Sequence, residues 1–244
     1  MKKHTLKLTA LLLLPFGLGA SPAIAGTATA ATQGALQEEF TLQFYPPDEG
    51  LPHDTTGGAS RDGGNCAVDP NTLEAGVTLL APAEYLGLTA SARPEFLVNL
   101  DNTQAQRLFL SVQDTETGAQ YQAYYPLPSQ SGLAHLPLPE AAPDLEVGQT
   151  YRWSLAIVCG QRLRPDDPVL TSYVKRVEVS PEVAQLPALE QVVAYAESGI
   201  WYDSLLLLNQ VRQADQSSDA LARAWESLLV AGGLSDINPD VTNP

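Results

Sequence analysis

Two pairs of neighbouring carboxylates are the side chains in this sequence best suited to catalysis. Asp114 and Glu116 lie in the turn-forming stretch DTETG, and Asp166 and Asp167 are adjacent in RPDDP. A glycoside hydrolase uses two carboxyl groups that face each other across roughly 5 to 10 Å. Both pairs occur in acidic turn sequences, however, where carboxylates are usually solvated. We therefore keep a glycoside hydrolase as the less favoured alternative and expect that the protein is not an enzyme.

Other catalytic motifs and metal sites lack sequence support. Apart from His4 near the N-terminus, the chain has two histidines, His53 and His135, which are too few for a histidine-based metal site. The sequence contains neither a G-x-S-x-G nucleophile motif nor a glycine-rich phosphate loop. The acidic residues between 48 and 62 do not have the alternating spacing of a calcium loop. We therefore expect no cofactor and no metal.

Three tyrosines that are close in the chain indicate ligand binding instead. Tyr121, Tyr124 and Tyr125 occur in AQYQAYYPL. On an exposed sheet face, aromatic rings of this kind would stack on the apolar faces of sugars. A polysaccharide-binding module is therefore the first alternative, ahead of the glycoside hydrolase. The function that we favour from the sequence is a module that binds another exported protein, because a helical hairpin follows the strands.

The first 25 residues predict a secretory signal peptide. Lys2, Lys3 and Lys7 border an apolar stretch from Leu8 to Leu18, and the small-x-small triplet at 23–25 marks the expected cleavage site. The apolar stretch is shorter than the roughly 20 residues of a membrane-spanning helix. No cysteine lies at the cleavage site to carry a lipid. We expect an exported protein without a membrane anchor, located in the periplasm or outside the cell.

The charge of the chain argues against some partners. When the three lysines of the signal peptide are removed from the 13 basic residues, 10 remain against 28 acidic ones, which gives a formal charge of −18. A surface of this sign repels polyphosphates and anionic lipids. We therefore expect no binding to nucleic acid.

The two cysteines predict a disulfide bond. Cys66 and Cys159 are 93 positions apart and do not have the C-x-x-C spacing of redox sites. In an oxidising compartment an even number of cysteines favours a structural bridge. Closing a loop of this length would stabilise the fold by roughly 4 to 5 kcal/mol in the chain-entropy model.

From Val77 to Val179 the apolar residues recur with a period of two, which predicts short strands with one buried face. In TYRWSLAIVC, Tyr151, Trp153 and Cys159 share the apolar face. Turn sequences separate six or seven such segments. We therefore predict an antiparallel β-sandwich over 66–179 that is immunoglobulin-like, although Trp153 and Cys159 on one strand depart from the immunoglobulin pattern. Residues 26–65 end in a Gly-, Pro- and Asp-rich stretch and are predicted to be a mobile linker.

After Val179 the apolar period changes to 3.6. Ser180, Pro181 and Glu182 predict the start of a helix, and three apolar stripes follow before the glycines at 232–233 end the last helix. We predict a three-helix appendage over 180–234 and a flexible tail over 235–244. The fold class is therefore α+β.

The stretch AYAESGIWYDSLLLL, at 194–208, predicts a tight helical hairpin. Gly199 lies between two apolar stripes, where a left-handed residue without a Cβ can turn the chain. Tyr195, Gly199 and Trp201 resemble the helix-turn-helix of tetratricopeptide repeats, although a single copy cannot form a solenoid. We interpret these three residues, together with Trp153, as structural.

Several phrases together resemble one family. They are a signal peptide, a loop that ends in GGNC, and the segments LLAPAEYLGLTASARPEF, LEVGQTYRWSLAIVC and YAESGIWYDSLLLL. They are similar to the exported bacterial family catalogued as domain of unknown function nine-two-eight, found largely in photosynthetic bacteria. The resemblance extends from about Cys66 to Leu234. It implies export and a sandwich followed by helices, but no catalytic residues, because the family has no established activity.

Overall fold

A computed structural model describes residues 40–52, 76–101, 103–127, 131–235 and 237, which form eight strands followed by three α-helices. The smaller sheet contains β1 (Val77–Leu79), β3 (Glu95–Leu100) and β6 (Gly132–Pro137), in the order β1-β3-β6. The larger sheet has the order β2-β8-β7-β4-β5. Its strands are β2 (Gly87–Thr89), β4 (Arg107–Asp114), β5 (Gln120–Pro126), β7 (Thr150–Val158) and β8 (Val169–Arg176). The predicted α+β class is confirmed.

Strand pairing is antiparallel except between β2 and β8, which are parallel. The period-two pattern explains which face of each strand is buried. In β4, Leu108, Leu110 and Val112 are buried, as predicted, while the alternate residues are more exposed. Between the sheets, the Phe96 ring stacks on the Trp153 ring with centroids 4.3 Å apart. The two sheets therefore face each other across an aromatic core.

The helices are α1 (Ala188–Glu197), α2 (Trp201–Ala214) and α3 (Asp219–Ala231). The predicted N-cap of α3 is confirmed, because the Ser218 side chain accepts a hydrogen bond from the Leu221 backbone N–H. The start predicted at Ser180 was wrong for an α-helix: only a 3₁₀ turn forms, over Val183–Gln185. Leu186 has an extended backbone because it precedes Pro187, and this postpones the helix to Ala188.

The three helices follow the sheets in the chain, as predicted, but they share one hydrophobic core with them. The Trp201 indole N–H donates to the Leu80 carbonyl at 2.9 Å, and the Tyr202 ring meets the Phe96 ring edge-on. The helices therefore pack on the sheets, a point that the sequence left open. The stripes in the sequence indicated that each helix has an apolar face, but not which surface covers that face.

Part of the predicted mobile linker is packed on this core. Leu42 is buried, and the Phe44 ring contacts the rings of Tyr85 and Trp201. The Tyr45 backbone N–H donates to the Ala196 carbonyl at 3.1 Å. The prediction was wrong for residues 40–52 because the apolar residues of FTLQF, at 40–44, alternate as in a strand and can be buried.

The other predicted boundaries fall partly outside the described residues. The signal peptide, residues 26–39 and residues 53–65 are not described. In the predicted flexible tail, Ile237 is buried in the core and its N–H donates to the Leu234 carbonyl. This part of the prediction was therefore wrong at Ile237.

Candidate functional site

The outer face of the larger sheet, which points away from the smaller sheet, carries a row of polar side chains. Because alternate residues of a strand point to opposite faces, this face receives the residues between the buried ones. Ser111 of β4 is paired with Gln122 of β5 on one side and with Ser154 of β7 on the other. Ser154 is paired in turn with Thr171 of β8, and their hydroxyl oxygens are 3.0 Å apart. Four adjacent strands thus present hydroxyl and amide groups side by side.

A second row runs parallel to the first. Gln113 of β4 is paired with Gln120 of β5 and with Arg152 of β7. The Arg152 guanidinium donates to the Gln113 side-chain carbonyl, and the Gln120 amide donates to the Ser111 hydroxyl. Both rows therefore offer hydrogen-bond donors and acceptors to a ligand, and Gln120, Gln122 and Arg152 are exposed.

The loop between β7 and β8 forms a wall beside these rows. Leu163, Arg164 and Pro165 are exposed in this loop and line a groove of about 320 Å³ together with the polar rows. Asp167 holds the turn, because its carboxylate accepts a hydrogen bond from the Arg164 backbone N–H at 2.8 Å. We call the surface formed by residues 109–113, 120–124, 152–156 and 163–169 the outer groove.

An aromatic pair borders the outer groove. Tyr124 is 50% exposed, and its ring lies 4.7 Å from the Phe109 ring, centroid to centroid. The Arg107 guanidinium lies over the Tyr124 ring, 5.1 Å from its centroid. This cation–π contact restrains a ring that remains half exposed.

The other two tyrosines of the predicted binding face lie on the opposite side of β5. Tyr121 and Tyr125 pack against the core, and the Tyr125 hydroxyl donates to the Pro137 carbonyl. Burial, with a smaller contribution from Tyr121, raises the pKa of Tyr125 to about 12. The three tyrosines therefore do not lie on one face. Side chains alternate between the two faces of a strand, and Tyr124 is an odd number of positions from both Tyr121 and Tyr125.

One carboxylate of each pair, Asp114 or Asp167, caps its own turn. Asp114 accepts hydrogen bonds from the backbone N–H groups of Glu116 and Thr117, each at 2.8 Å, and from the Gln149 amide. These bonds, that from Thr117 first, lower the pKa of Asp114. A general acid needs a raised pKa instead. Asp167 is likewise used within its own turn, and Asp166 beside it is exposed.

Gly199, Trp201 and Trp153, which the sequence predicted to be structural, lie in the hairpin and in the core. Gly199 has a φ of +70° between α1 and α2, which confirms its left-handed conformation. Trp201 and Trp153 are completely buried. The Trp153 indole N–H donates to the Tyr202 hydroxyl, which donates to the Tyr173 carbonyl, both at 2.9 Å.

Tyr195 is half buried at the end of α1, where its carbonyl accepts from the Ile200 N–H at 2.9 Å and so closes the hairpin. Burial, and to a lesser extent Asp203, raises the pKa of the Tyr195 hydroxyl.

Cys159 follows the last residue of β7 and packs against the core, as its position in the strand pattern predicts. Cys66 lies outside the described residues. The disulfide bond between them therefore stays a prediction.

A polar cluster that the sequence did not indicate joins α2 to the smaller sheet. His135 of β6 pairs through Nδ1 with the Glu95 carboxylate of β3. Its Nε2 lies 3.4 Å from the side-chain nitrogen of Asn209, which is 1% exposed. The cluster lacks a nucleophile, and we regard it as a contact that positions α2 on this sheet.

The outer groove was not predicted either, although the sequence contains a pattern that indicates it. The positions that alternate with the buried residues of β4, β5 and β7 carry Ser, Gln and Arg, and no Asp or Glu between 109 and 113, 120 and 124, or 152 and 156. In a chain with 28 acidic residues this is an unusual stretch of surface. Such a groove can bind a polyhydroxylated ligand by hydrogen bonds and ring stacking.

Comparison with known proteins gives a family and no named relative. A family model described as Domain of Unknown Function (DUF928) matches residues 56–241. No curated protein matches the chain. In the part of the chain that the structure describes, none of the helices is both long and apolar enough to cross a membrane.

Proposed function

Because the chain belongs to the DUF928 family, whose function is unknown, we infer its function from its own surface. We propose that it is an exported, non-catalytic protein that binds a polysaccharide in the outer groove. The observation that supports this proposal is the combination of two polar rows with a half-exposed tyrosine at their border. Sugars offer hydroxyl groups to amides and apolar ring faces to aromatic side chains.

The interaction with another exported protein, which the sequence favoured, has weaker support. A groove between the sheets and the helices would have favoured it. Among the described residues, Trp201, Tyr202 and Leu205 fill that space and are buried. The polysaccharide hypothesis therefore becomes the first choice.

A glycoside hydrolase also has weaker support than a binding module. Asp114 and Asp167 accept hydrogen bonds from the backbone of their own turns. Hydrolysis needs two carboxyl groups that can reach one glycosidic bond from opposite sides. We therefore propose binding without cleavage.

The test is calorimetric titration of the mature protein with dextran, xylan, soluble β-glucan, polygalacturonate and alginate. Loss of the Tyr124 ring in Tyr124→Ala should raise the Kd for the bound polymer about 3- to 10-fold, since an aromatic contact contributes about 0.5 to 1.5 kcal/mol. Tyr45→Ala is the matched control, because Tyr45 is also 50% exposed but lies on the segment at 40–52. Equal binding by Tyr124→Ala and the parent protein, or no binding to any polymer, would contradict the proposal.

Export, the compartment and the disulfide bond belong to the same proposal. We infer that the protein begins at Gly26 after cleavage, resides in the periplasm or outside the cell, and carries a bond between Cys66 and Cys159. N-terminal sequencing and mass spectrometry after alkylation without reduction would test these points. An intact Met1, or two alkylated cysteines in exported material, would contradict them.

A further inference from the structure

Two arginines line the outer groove. Arg152 extends from β7, and Arg164 lies in the loop that forms the wall; both are exposed. A guanidinium group has five N–H donors in a rigid planar arrangement that matches a carboxylate. The groove therefore contains groups for binding an acid as well as for binding hydroxyls.

Neither arginine has a carboxylate partner within the described residues. Arg152 donates to the amide oxygen of Gln113. Elsewhere in the described ranges, by contrast, Arg93 pairs with Asp144 and Lys175 pairs with Glu49. The two groove arginines thus keep donors that a ligand could use.

The acidic residue in the groove lining does not compete for them. Asp167 is 7% exposed, and its carboxylate accepts the hydrogen bond from the Arg164 backbone N–H. The two guanidinium groups of the lining therefore remain available to a ligand, although Asp166 is exposed in the same loop and the whole chain has a formal charge of −15.

The acidic charge of the rest of the chain does not prevent such binding. At physiological ionic strength charges are largely screened beyond about 8 Å, so that a ligand in the groove interacts mainly with the groups that line it. A nucleic acid, with a phosphate at each nucleotide, would still need a wide cationic surface. Two arginines can bind two acid groups of a polymer whose sugar rings also fit the polar rows and Tyr124.

We propose that the polysaccharide carries carboxylate groups, as uronic acid residues do, and that Arg152 and Arg164 bind these groups. This inference rests on the proposed function. The polar rows and Tyr124 contact the sugar rings, and the arginines select the acid form over the neutral one by charge-assisted hydrogen bonds.

The experiment compares polymers that differ in charge alone. Mature protein is titrated with polygalacturonate, with its fully methyl-esterified form, and with alginate. The acid form should bind at least tenfold more tightly than the ester, because the ester has lost the charge that the arginines recognise. Dextran sulfate, compared with dextran, shows whether a sulfate group can replace the carboxylate. Stronger binding of dextran sulfate than of either uronate polymer would overturn the choice of carboxylate.

The variants Arg152→Gln and Arg164→Gln test whether these two residues cause the preference for the acid form over the ester. Each should raise the Kd for polygalacturonate about tenfold and leave the Kd for the ester unchanged. Arg223→Gln, an exposed site on α3 with the same change of charge, should leave both values unchanged. Thermal unfolding of each variant checks that the fold is intact.

The outcomes separate this inference from the proposed function. Equal binding of acid and ester, both weakened by Tyr124→Ala, would overturn the inference and leave the proposed function standing. Preference for the acid without any effect of the two arginine variants would overturn the assignment to these residues. Absence of binding to both polygalacturonate and alginate would also contradict the inference, whereas failure of Tyr124→Ala to change the binding of any polymer would contradict the proposed function itself.

Discussion

Gly199 fixes the helical hairpin through its backbone and through the space that it leaves open. Its φ is +70°, and a Cβ there would lie 2.7 Å from the Tyr45 carbonyl oxygen. The residue therefore allows the turn and also lets the segment at 40–52 approach the end of α1. Both requirements exclude a side chain, but for different physical reasons.

We predict that Gly199→Ala destabilises the protein more than Gly148→Ala. Gly148 has a φ of +83° with no atom within 4 Å of the Cβ position, so that its substitution costs only the strained backbone, about 1 to 2 kcal/mol. Gly199→Ala should cost a further 1 to 3 kcal/mol, roughly, because the Tyr45 backbone must move. Urea unfolding measures both free energies. Equal losses in the free energy of unfolding would show that the segment at 40–52 moves without an energetic cost.

The hydroxyl of Tyr202 joins α2 to the larger sheet by hydrogen bonds. It accepts from the Trp153 indole and donates to the Tyr173 carbonyl, at a completely buried position. Burial accordingly raises the pKa of this hydroxyl.

We predict that Tyr202→Phe lowers the free energy of unfolding by about 1 to 3 kcal/mol, since it leaves a buried donor and a buried acceptor without partners. Tyr125→Phe is the comparison, because its hydroxyl makes one hydrogen bond at a half-buried position. Chemical denaturation gives both values. A Tyr202→Phe variant as stable as Tyr125→Phe would show that the network contributes little.

Among the contacts between helices and strands, α2 is attached to β2 through a partly buried carboxylate. Asp203, in the first turn of α2, accepts hydrogen bonds from the Thr89 hydroxyl at 2.8 Å and from the Ala90 N–H at 2.9 Å. Burial raises the pKa of Asp203 despite these bonds. In the folded protein the carboxyl group therefore holds its proton to a higher pH than in the unfolded chain.

This raised pKa gives a predicted sign for the pH dependence. Between the ordinary Asp value of about 3.9 and the raised value, the folded state binds more protons, so the Asp203 contribution to stability falls as pH rises. Asp203→Asn should remove that fall, and its stability relative to the parent should therefore improve as pH rises from about 4.

Asp114→Asn serves as the control of opposite sign. In the parent protein the pKa of Asp114 is lowered. The Asp114 contribution to stability is therefore present above the ordinary Asp pKa and is lost as pH falls through the lowered pKa. The parent protein should therefore gain stability over Asp114→Asn as pH rises through that lower window. Urea unfolding over a pH series measures both differences, and parallel curves for Asp203→Asn and the parent would refute the prediction for Asp203.

The core that the sheets and helices share predicts one unfolding transition. Trp201 and Tyr202 of α2 belong to the same buried cluster as Phe96 of β3 and Trp153 of β7, and the Tyr202 ring meets the rings of Phe96 and Trp153. Loss of the helices would expose these rings, so that the sheets should not remain folded alone.

We predict that the helical signal in far-ultraviolet circular dichroism and the tryptophan fluorescence change with the same midpoint on heating. Trp201→Ala should lower that common midpoint, since truncation of a buried tryptophan costs about 3 to 5 kcal/mol. A helical signal that is lost first, while the Trp153 environment persists, would show that the helices form an independent domain after all.

The local features of the fold could be predicted from the sequence. The periods of two and 3.6 predicted the strands and helices, Ser218 predicted an N-cap, and Gly199 predicted a left-handed turn, because each depends on residues close in the chain. Even the separation of Tyr124 from Tyr121 and Tyr125 follows from counting positions along β5.

Which faces of the strands and helices pack together is known from the tertiary structure alone. The polar rows exist because β4 lies between β5 and β7, and strand order is not encoded in any one segment. Likewise, Leu42 and Phe44 looked like part of a linker until their contact with the core gave them a partner. Burial depends on surfaces brought together from distant parts of the chain, so the core that joins sheets to helices, and the outer groove, could not be predicted from periodicity alone.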